Sequence, residues 1–210
     1  MTAGQLTVLA VGAESLLAAG AAAWIRWRAI PASWTDGSWT FAVLAGLAAA
    51  GVLAAVNVAL LRHAPDLAAV RSLRRLYRDT LRPLFATVGL RDVVVISVAA
   101  GVGEELLFRG ALQAEVGLAV ASVVFGLLHM GGRDTLVFGG WVMVMGAGLG
   151  WLAVATGGLL ALIIAHSVYD AAAIAYCRWA PVCRAVRRLG AAGGRNGSTP
   201  AVGSGQESAP

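Results

Sequence analysis

The chain has 210 residues, of which 59% are hydrophobic and 13% are charged, with a formal net charge of +5. A soluble globular domain carries roughly 25% charged residues, so this composition excludes a water-soluble enzyme and leaves no room for a separate soluble domain. Because a helix needs about 20 residues to cross ~30 Å of hydrocarbon, the length allows five to seven spans. We therefore predict an all-α, polytopic transmembrane helix bundle of about six spans.

Two membrane spans are predicted in the first part of the chain. Residues 6–25 form an apolar stretch interrupted only by Glu14, and residues 39–61 form a second. No positive charge precedes the first stretch, as a signal peptide requires, so we expect it to be retained as a helix. Residues 29–38 are expected to form the connecting loop.

Residues 62–91 mix arginine with leucine. The leucines recur every three to five residues with arginines between them, a pattern that favours an amphipathic helix at the membrane interface. A solvated loop is the alternative. The arginines are expected to meet anionic lipid headgroups, and not nucleic acid. They are Arg62, Arg71, Arg74, Arg75, Arg78, Arg82 and Arg91.

Four further spans are predicted in residues 92–177, joined by short polar or glycine-containing connections. They cover residues 92–113, 118–130, 136–156 and 159–177. The connection at 115–117 is short, so the two helices that meet there should be antiparallel. The chain is thus divided into an N-terminal part (1–91), a four-helix catalytic core (92–177) and a tail (178–210) that is basic and then disordered.

The placement of arginine predicts the orientation of the chain. Most arginines lie in residues 62–91 and in the tail, whereas Arg26 and Arg28 fall clearly at the other membrane surface. Because positively charged loops stay in the cytoplasm, we expect residues 62–91 and both termini to be cytoplasmic. The expected location is the cytoplasmic membrane of a bacterium.

Two adjacent glutamates stand inside the third predicted span. At ~1.5 Å per residue, Glu104 and Glu105 would lie about 16 to 18 Å deep, where a carboxylate costs at least ~2.5 kcal/mol. Glu105 precedes Arg109 by four residues, so the two share a helix face and are assigned to a structural ion pair. Glu104 points about 100° away and is left as the candidate general base.

Two histidines are predicted at a comparable depth. His129 follows Phe125 by four residues and His166 precedes Asp170 by four, so each histidine shares a helix face with that neighbour. Counted from the connection between their helices, Glu104 and His129 differ in height by only ~3 Å. Taken singly, a histidine could be an interhelical hydrogen-bonding residue, and a buried glutamate could serve a proton path.

Three motifs stand in order on separate hydrophobic spans. They read Glu104-Glu105-Leu-Leu-Phe-Arg109, Phe125-Gly-Leu-Leu-His129 and His166-Ser-Val-Tyr-Asp170. Together they resemble the motifs of the CAAX protease and bacteriocin-processing (CPBP) family, which includes the type II CAAX prenyl endopeptidases. The resemblance covers about residues 92–177. It implies an intramembrane endopeptidase that hydrolyses a peptide bond of a peptide or protein substrate near the membrane surface.

The resemblance also implies a role for each position. Glu104 and His129 would activate a water molecule, His166 and Asp170 would hold the developing oxyanion, and Arg109 would order the glutamate helix. No cofactor is certain; zinc is the open alternative, with Glu104, His129 and His166 as its ligands. Asp170 departs from the commoner asparagine. Because an ionised aspartate cannot donate to an oxyanion, it would carry a proton, orient His166 or bind metal.

Two other functions stay open. A family member that has lost catalysis could act as a membrane scaffold or a bacteriocin-immunity protein, although the intact motifs argue against it. A proton-coupled transporter could use the same carboxylates, although no inverted repeat is visible. We favour the protease, with a metal-independent glutamate and histidine pair.

Overall fold

The computed structural model describes residues 1–132 and 135–180. These residues are helical and contain no strand, as the composition predicts. The predicted tail lies outside the described residues from position 181 onward. The helices are α1 (Ala3–Trp27), α2 (Trp39–Arg62), α3 (Ala68–Leu76), α4 (Leu90–Glu105), α5 (Gln113–Leu128), α6 (Leu136–Thr156) and α7 (Leu160–Trp179).

Five helical stretches in the described part are long and apolar enough to cross a membrane, so the chain is an integral membrane protein. They are Ala3–Trp27, Trp39–Arg62, Leu90–Leu128, Leu136–Thr156 and Leu160–Trp179. The third has 39 residues and would measure ~58 Å if straight, about twice the hydrocarbon thickness. It is broken near its middle and contains both the third and the fourth predicted spans.

The break lies at Gly117, inside the connection predicted from the sequence. Its backbone has φ 81° and ψ 165°, a positive φ that side chains with a Cβ rarely adopt. The chain reverses there, since the rings of Phe108 and Phe125 lie on opposite sides of the break and yet are 4.7 Å apart. The part after Gly117 is only ~16 Å long, and it ends at His129, about halfway across a bilayer.

Close packing of α1 on α4 depends on a glycine beside the glutamate pair. A Cβ at Gly103 would lie 2.7 Å from the carbonyl oxygen of Glu14, which is too close for any larger residue. The Thr7 hydroxyl donates to Asp92 at 2.9 Å and joins the same two helices. The first helix is therefore part of the bundle that surrounds the glutamates.

The two ends of the bundle differ in charge. We call the end that carries residues 62–91 the basic end. At the opposite end, the loop between α1 and α2 packs on the turn between α6 and α7, with Leu160 N–H donating to Trp34 at 2.9 Å. The ion pair of Arg28 and Glu115, at 2.7 Å, ties the break at Gly117 to this opposite end.

The basic segment, residues 62–91, is helical over most of its length. It consists of α3, a π-helical turn at Tyr77–Leu81 and a short helix at Arg82–Leu84. Arg74 is an exception among its arginines, because it is only 3% exposed. Its guanidinium donates to the carbonyl groups of Leu61 and Ala64 at the end of α2, so Arg74 stabilises a helix terminus and does not face headgroups.

Candidate active site

Glu105 lies on the side of the glutamate pair that packs against Arg109 and His166, which we call the closed side. Its side chain is fully buried, and Oε1 accepts a hydrogen bond from Arg109 at 3.0 Å, which is the ion pair that the four-residue spacing predicts. The same oxygen lies 2.5 Å from His166 Nδ1. This second contact was not predicted, because spacing within one helix says nothing about a partner on another.

Arg109 joins three helices. Its second nitrogen donates to the carbonyl of Gly146 in α6 at 2.9 Å, and its guanidinium lies 4.4 Å from the ring centre of Phe125 in α5. Arg109 belongs to a π-helical segment, Leu106–Leu112, that directly follows the glutamates. Such segments are rare and frequently occur at functional sites, but the residue types of this segment do not distinguish a π-helix from an α-helix.

Glu104 lies on the side of the pair that borders a cavity, which we call the open side. Its Oε1 is 4.0 Å from His129 Nε2, and its Oε2 is 3.7 Å from His166 Nε2. Both distances exceed a direct hydrogen bond. The buried Oε2 has no hydrogen-bond partner among the described residues, and buried polar atoms are rarely left in that state without a functional reason.

The geometry of His129 assigns its tautomer. Its Nδ1 lies 2.8 Å from the carbonyl oxygen of Phe125, and since a carbonyl only accepts, Nδ1 carries the hydrogen. The neutral ring therefore presents a lone pair on Nε2, the atom that faces Glu104. Phe125 supports the ring by an edge contact at 4.8 Å, as the shared helix face predicts.

His166 and Asp170 share a face of α7, as predicted from their spacing. His166 Nε2 lies 3.5 Å from Asp170 Oδ2, while Nδ1 faces Glu105. Both ring nitrogens therefore face carboxylate oxygens, which only accept when ionised. This arrangement suits a ring that carries hydrogen on both nitrogens.

One cavity of about 270 Å³ brings the four predicted catalytic side chains together. The helical part after Gly117 ends beside this cavity, at His129, and the cavity extends from there toward the basic end. Glu105 and Arg109 do not line this cavity, so the division of the glutamates by helix face agrees with the structure. The apolar wall toward the basic end includes Leu60, Leu73, Leu76, Leu81 and Phe85.

The arrangement of the His, Cys, Asp and Glu side chains decides whether a metal ion fits this site. The described residues contain no group of three or more His, Cys, Asp or Glu side chains arranged to hold one. Glu104, His129 and His166, the zinc ligands that the resemblance implies, therefore do not form a metal site in this arrangement. The side chains alone supply the chemistry proposed below, and removal of metal with a chelator tests zinc dependence.

Comparison with known proteins finds a family match for the segment that holds this site. Residues 86–172 match the type II CAAX prenyl endopeptidase Rce1-like family. The chain is 29% identical over 90 residues to the uncharacterized protein YpbD of Bacillus subtilis (strain 168), covering 43% of this chain and 48% of that protein. It thus spans about half the length of the curated relative it matches.

No solved structure matches the chain. The matched residues nevertheless include all three motifs and the four side chains that meet in the cavity. Residues 86–172 therefore resemble the type II CAAX prenyl endopeptidase Rce1-like family.

Proposed function

We propose that the chain is an intramembrane endopeptidase that hydrolyses a peptide bond with a water molecule activated by Glu104 and His129. The observation that carries the proposal is the pair of acceptors, Glu104 Oε1 and His129 Nε2, that face each other at 4.0 Å on the cavity wall. A separation beyond direct hydrogen bonding is one that a water molecule can bridge.

The chemistry uses these groups as base and orienting partner. Glu104 accepts one proton of the water while His129 Nε2 accepts a hydrogen bond from the other. The water oxygen forms a bond to the carbonyl carbon, and the carbonyl oxygen becomes negative. When the carbon–nitrogen bond breaks, Glu104 returns the proton to the leaving amine. His166, held by Glu105 and Asp170, stabilises the negative charge through its Nε2–H, since its Nδ1–H is directed at Glu105.

The shape of the cavity supports an amphipathic substrate. Its wall is mostly apolar toward the basic end, and its carboxylates and histidines are gathered around Glu104. A peptide that carries a prenyl group or a hydrophobic tail could place the apolar part among the leucines and its peptide bond at the glutamate. The printed name of the matching family, a CAAX prenyl endopeptidase, makes a prenylated peptide the first substrate to test.

We place the basic end in the cytoplasm, where the cavity would receive cytoplasmic peptides. The exposed arginines of residues 62–91 support this orientation. An Arg75→Cys variant, with Cys177 and Cys183 replaced by serine, should react with a membrane-impermeant maleimide in inverted vesicles and not in right-side-out vesicles. The reverse labelling would contradict the orientation and leave the chemistry untouched.

The activity is tested with purified full-length protein in liposomes. The probes are an internally quenched peptide that ends in a farnesylated Cys-a-a-X sequence and its unprenylated counterpart. Cleavage should occur in the native protein, disappear in Glu104→Gln and persist in Glu115→Gln, a matched control at the opposite end. Chelator should leave the rate unchanged; loss of cleavage that added zinc restores would contradict the metal-free mechanism.

The alternatives predict different results in the same liposomes. A catalytically silent scaffold cleaves neither peptide. A transporter shows proton flux that depends on Glu104 and no cleavage. Either outcome would overturn the proposed endopeptidase.

A further inference from the structure

A tyrosine that the mechanism above does not use lines the same cavity. Tyr169 is 8% exposed and borders the cavity beside Asp170. It follows His166 by three residues, so His166, Tyr169 and Asp170 lie on one face of α7. Its hydroxyl is both a donor and an acceptor and stays neutral at physiological pH.

A tryptophan on the neighbouring helix packs beside that tyrosine. Trp141 of α6 packs in one cluster with Tyr169, Ala50 and Met145. Its indole nitrogen is buried and has no hydrogen-bond partner among the described residues. Because an indole N–H only donates, a bond between the two side chains would use the phenolic oxygen as its acceptor. Such a bond would leave the hydrogen of the Tyr169 hydroxyl for the cavity.

The reaction uses donors at the scissile carbonyl oxygen, and His166 supplies only one, its Nε2–H. Negative charge develops on the carbonyl oxygen, and preorganised donors at that oxygen are usually a large part of catalysis. An ionised Asp170 cannot donate, and His129 uses its N–H on the Phe125 carbonyl. Asn57 is another neutral donor on the wall, but it lies seven residues after Ala50, which places it ~10 Å nearer the basic end than Tyr169.

We propose that Tyr169 is a further catalytic residue, whose hydroxyl donates a hydrogen bond to the scissile carbonyl oxygen as that oxygen becomes negative. Trp141 is a positioning residue that orients the hydroxyl. The inference rests on the proposed endopeptidase function. No covalent bond to Tyr169 forms or breaks, and its proton stays on the phenol throughout.

The test replaces single polar atoms and measures kcat and KM with the quenched farnesylated peptide. Tyr169→Phe removes only the hydroxyl and should lower kcat by about 10²-fold, the usual effect of losing one such donor, with KM within about twofold. Trp141→Phe should lower kcat by about tenfold, because a displaced donor is still present. Trp151→Phe, a lipid-facing change on the same helix at a side chain 67% exposed, should change neither constant.

A second measurement separates catalysis from folding. A phosphinic peptide of the same sequence mimics the tetrahedral intermediate, and Tyr169→Phe should bind it about 10²-fold more weakly while binding the uncleaved peptide, measured in a Glu104→Gln background, with unchanged affinity. A kcat that survives Tyr169→Phe, or equal losses of affinity for both ligands, would overturn the role of Tyr169. If Tyr169→Phe does not fold, Trp141→Phe carries the same comparison. Absence of cleavage by the native protein would overturn the endopeptidase itself, and with it this inference.

Discussion

Glu104 and Glu105 are neighbours in the chain and have opposite surroundings. Glu105 is fully buried, bonded to Arg109 and in contact with His166. Glu104 borders a cavity, and its oxygens lie 4.0 Å from His129 and 3.7 Å from His166, beyond direct hydrogen-bond distance. A single step of about 100° around the helix thus separates a carboxylate that holds helices together from one that is available for chemistry.

Two neighbouring arginines of the basic segment differ in their surroundings in the same way. Arg74 is buried against the end of α2, whereas its neighbour Arg75 is exposed. In both pairs the residue type is the same and the helix face decides the role. Removing a group from one member of such a pair should therefore affect stability or activity, and not both equally.

The largest effect is expected from the closed side. Arg109→Leu leaves the Glu105 carboxylate buried without its cation, which should lower the free energy of unfolding by about 3 to 5 kcal/mol. Unfolding in mixed micelles with increasing SDS measures it. The double variant Glu105→Leu with Arg109→Leu should be more stable than Arg109→Leu alone, since it removes both charges. A double variant that is less stable than either single variant would contradict the ion pair as the cause.

The open side should show the reverse pattern. His129→Ala removes the acceptor that faces Glu104 and should lower kcat by about 10² to 10⁴-fold, while the unfolding midpoint changes little because the ring borders the cavity at the end of α5. His63→Ala, an exposed histidine of the basic segment, is the control and should retain full activity. A large loss of stability in His129→Ala with proportionate loss of activity would place His129 on the closed side.

The contact between α1 and the glutamate helix should respond to packing alone. Gly103→Ala places a Cβ 2.7 Å from the Glu14 carbonyl oxygen, an overpacking that typically costs about 1 to 3 kcal/mol. Gly148→Ala has open space around the new Cβ, and helix propensity alone favours it by up to about 1 kcal/mol. Equal unfolding midpoints for the two variants would show that α1 does not approach α4 as closely as described.

The smallest effect concerns lipid. Arg75→Gln should weaken the retention of phosphatidylglycerol in nanodiscs by about fivefold, which corresponds to roughly 1 kcal/mol for one arginine near an anionic surface. Arg74→Gln should leave lipid retention unchanged and lower stability, because its guanidinium bonds carbonyl groups. Native mass spectrometry of the retained lipid measures the first, and SDS unfolding the second. Identical lipid retention in Arg75→Gln and the native chain would contradict the interfacial role.

Much of the fold was predictable because it depends on local properties of the chain. Runs of apolar residues predicted the helical bundle, and the short glycine-containing connection predicted the break that the structure places at Gly117. The two predicted spans lie on either side of that break, as two helical segments between which the chain reverses. The second segment is too short to cross a bilayer, and the sequence alone did not reveal that its end borders the cavity.

The contacts of the site that lie within one helix could be predicted from the spacing of the residues. Four-residue intervals predicted the contacts of Glu105 with Arg109, of Phe125 with His129 and of His166 with Asp170. Contacts between distant helices were beyond that reasoning. The bond of His166 to Glu105 is one of them, and the pairing of Trp141 with Tyr169 is another, since both depend on how α4, α6 and α7 pack together.

The most direct test of the division between the two glutamates compares Glu104→Gln with Glu105→Gln in the same liposomes. Both variants keep the size of the side chain and remove only the charge. We predict that Glu104→Gln abolishes cleavage of the farnesylated peptide and unfolds at the native SDS concentration or slightly above it, whereas Glu105→Gln unfolds at a clearly lower concentration. A Glu104→Gln variant that cleaves the peptide, or a Glu105→Gln variant with native stability and no activity, would contradict the account.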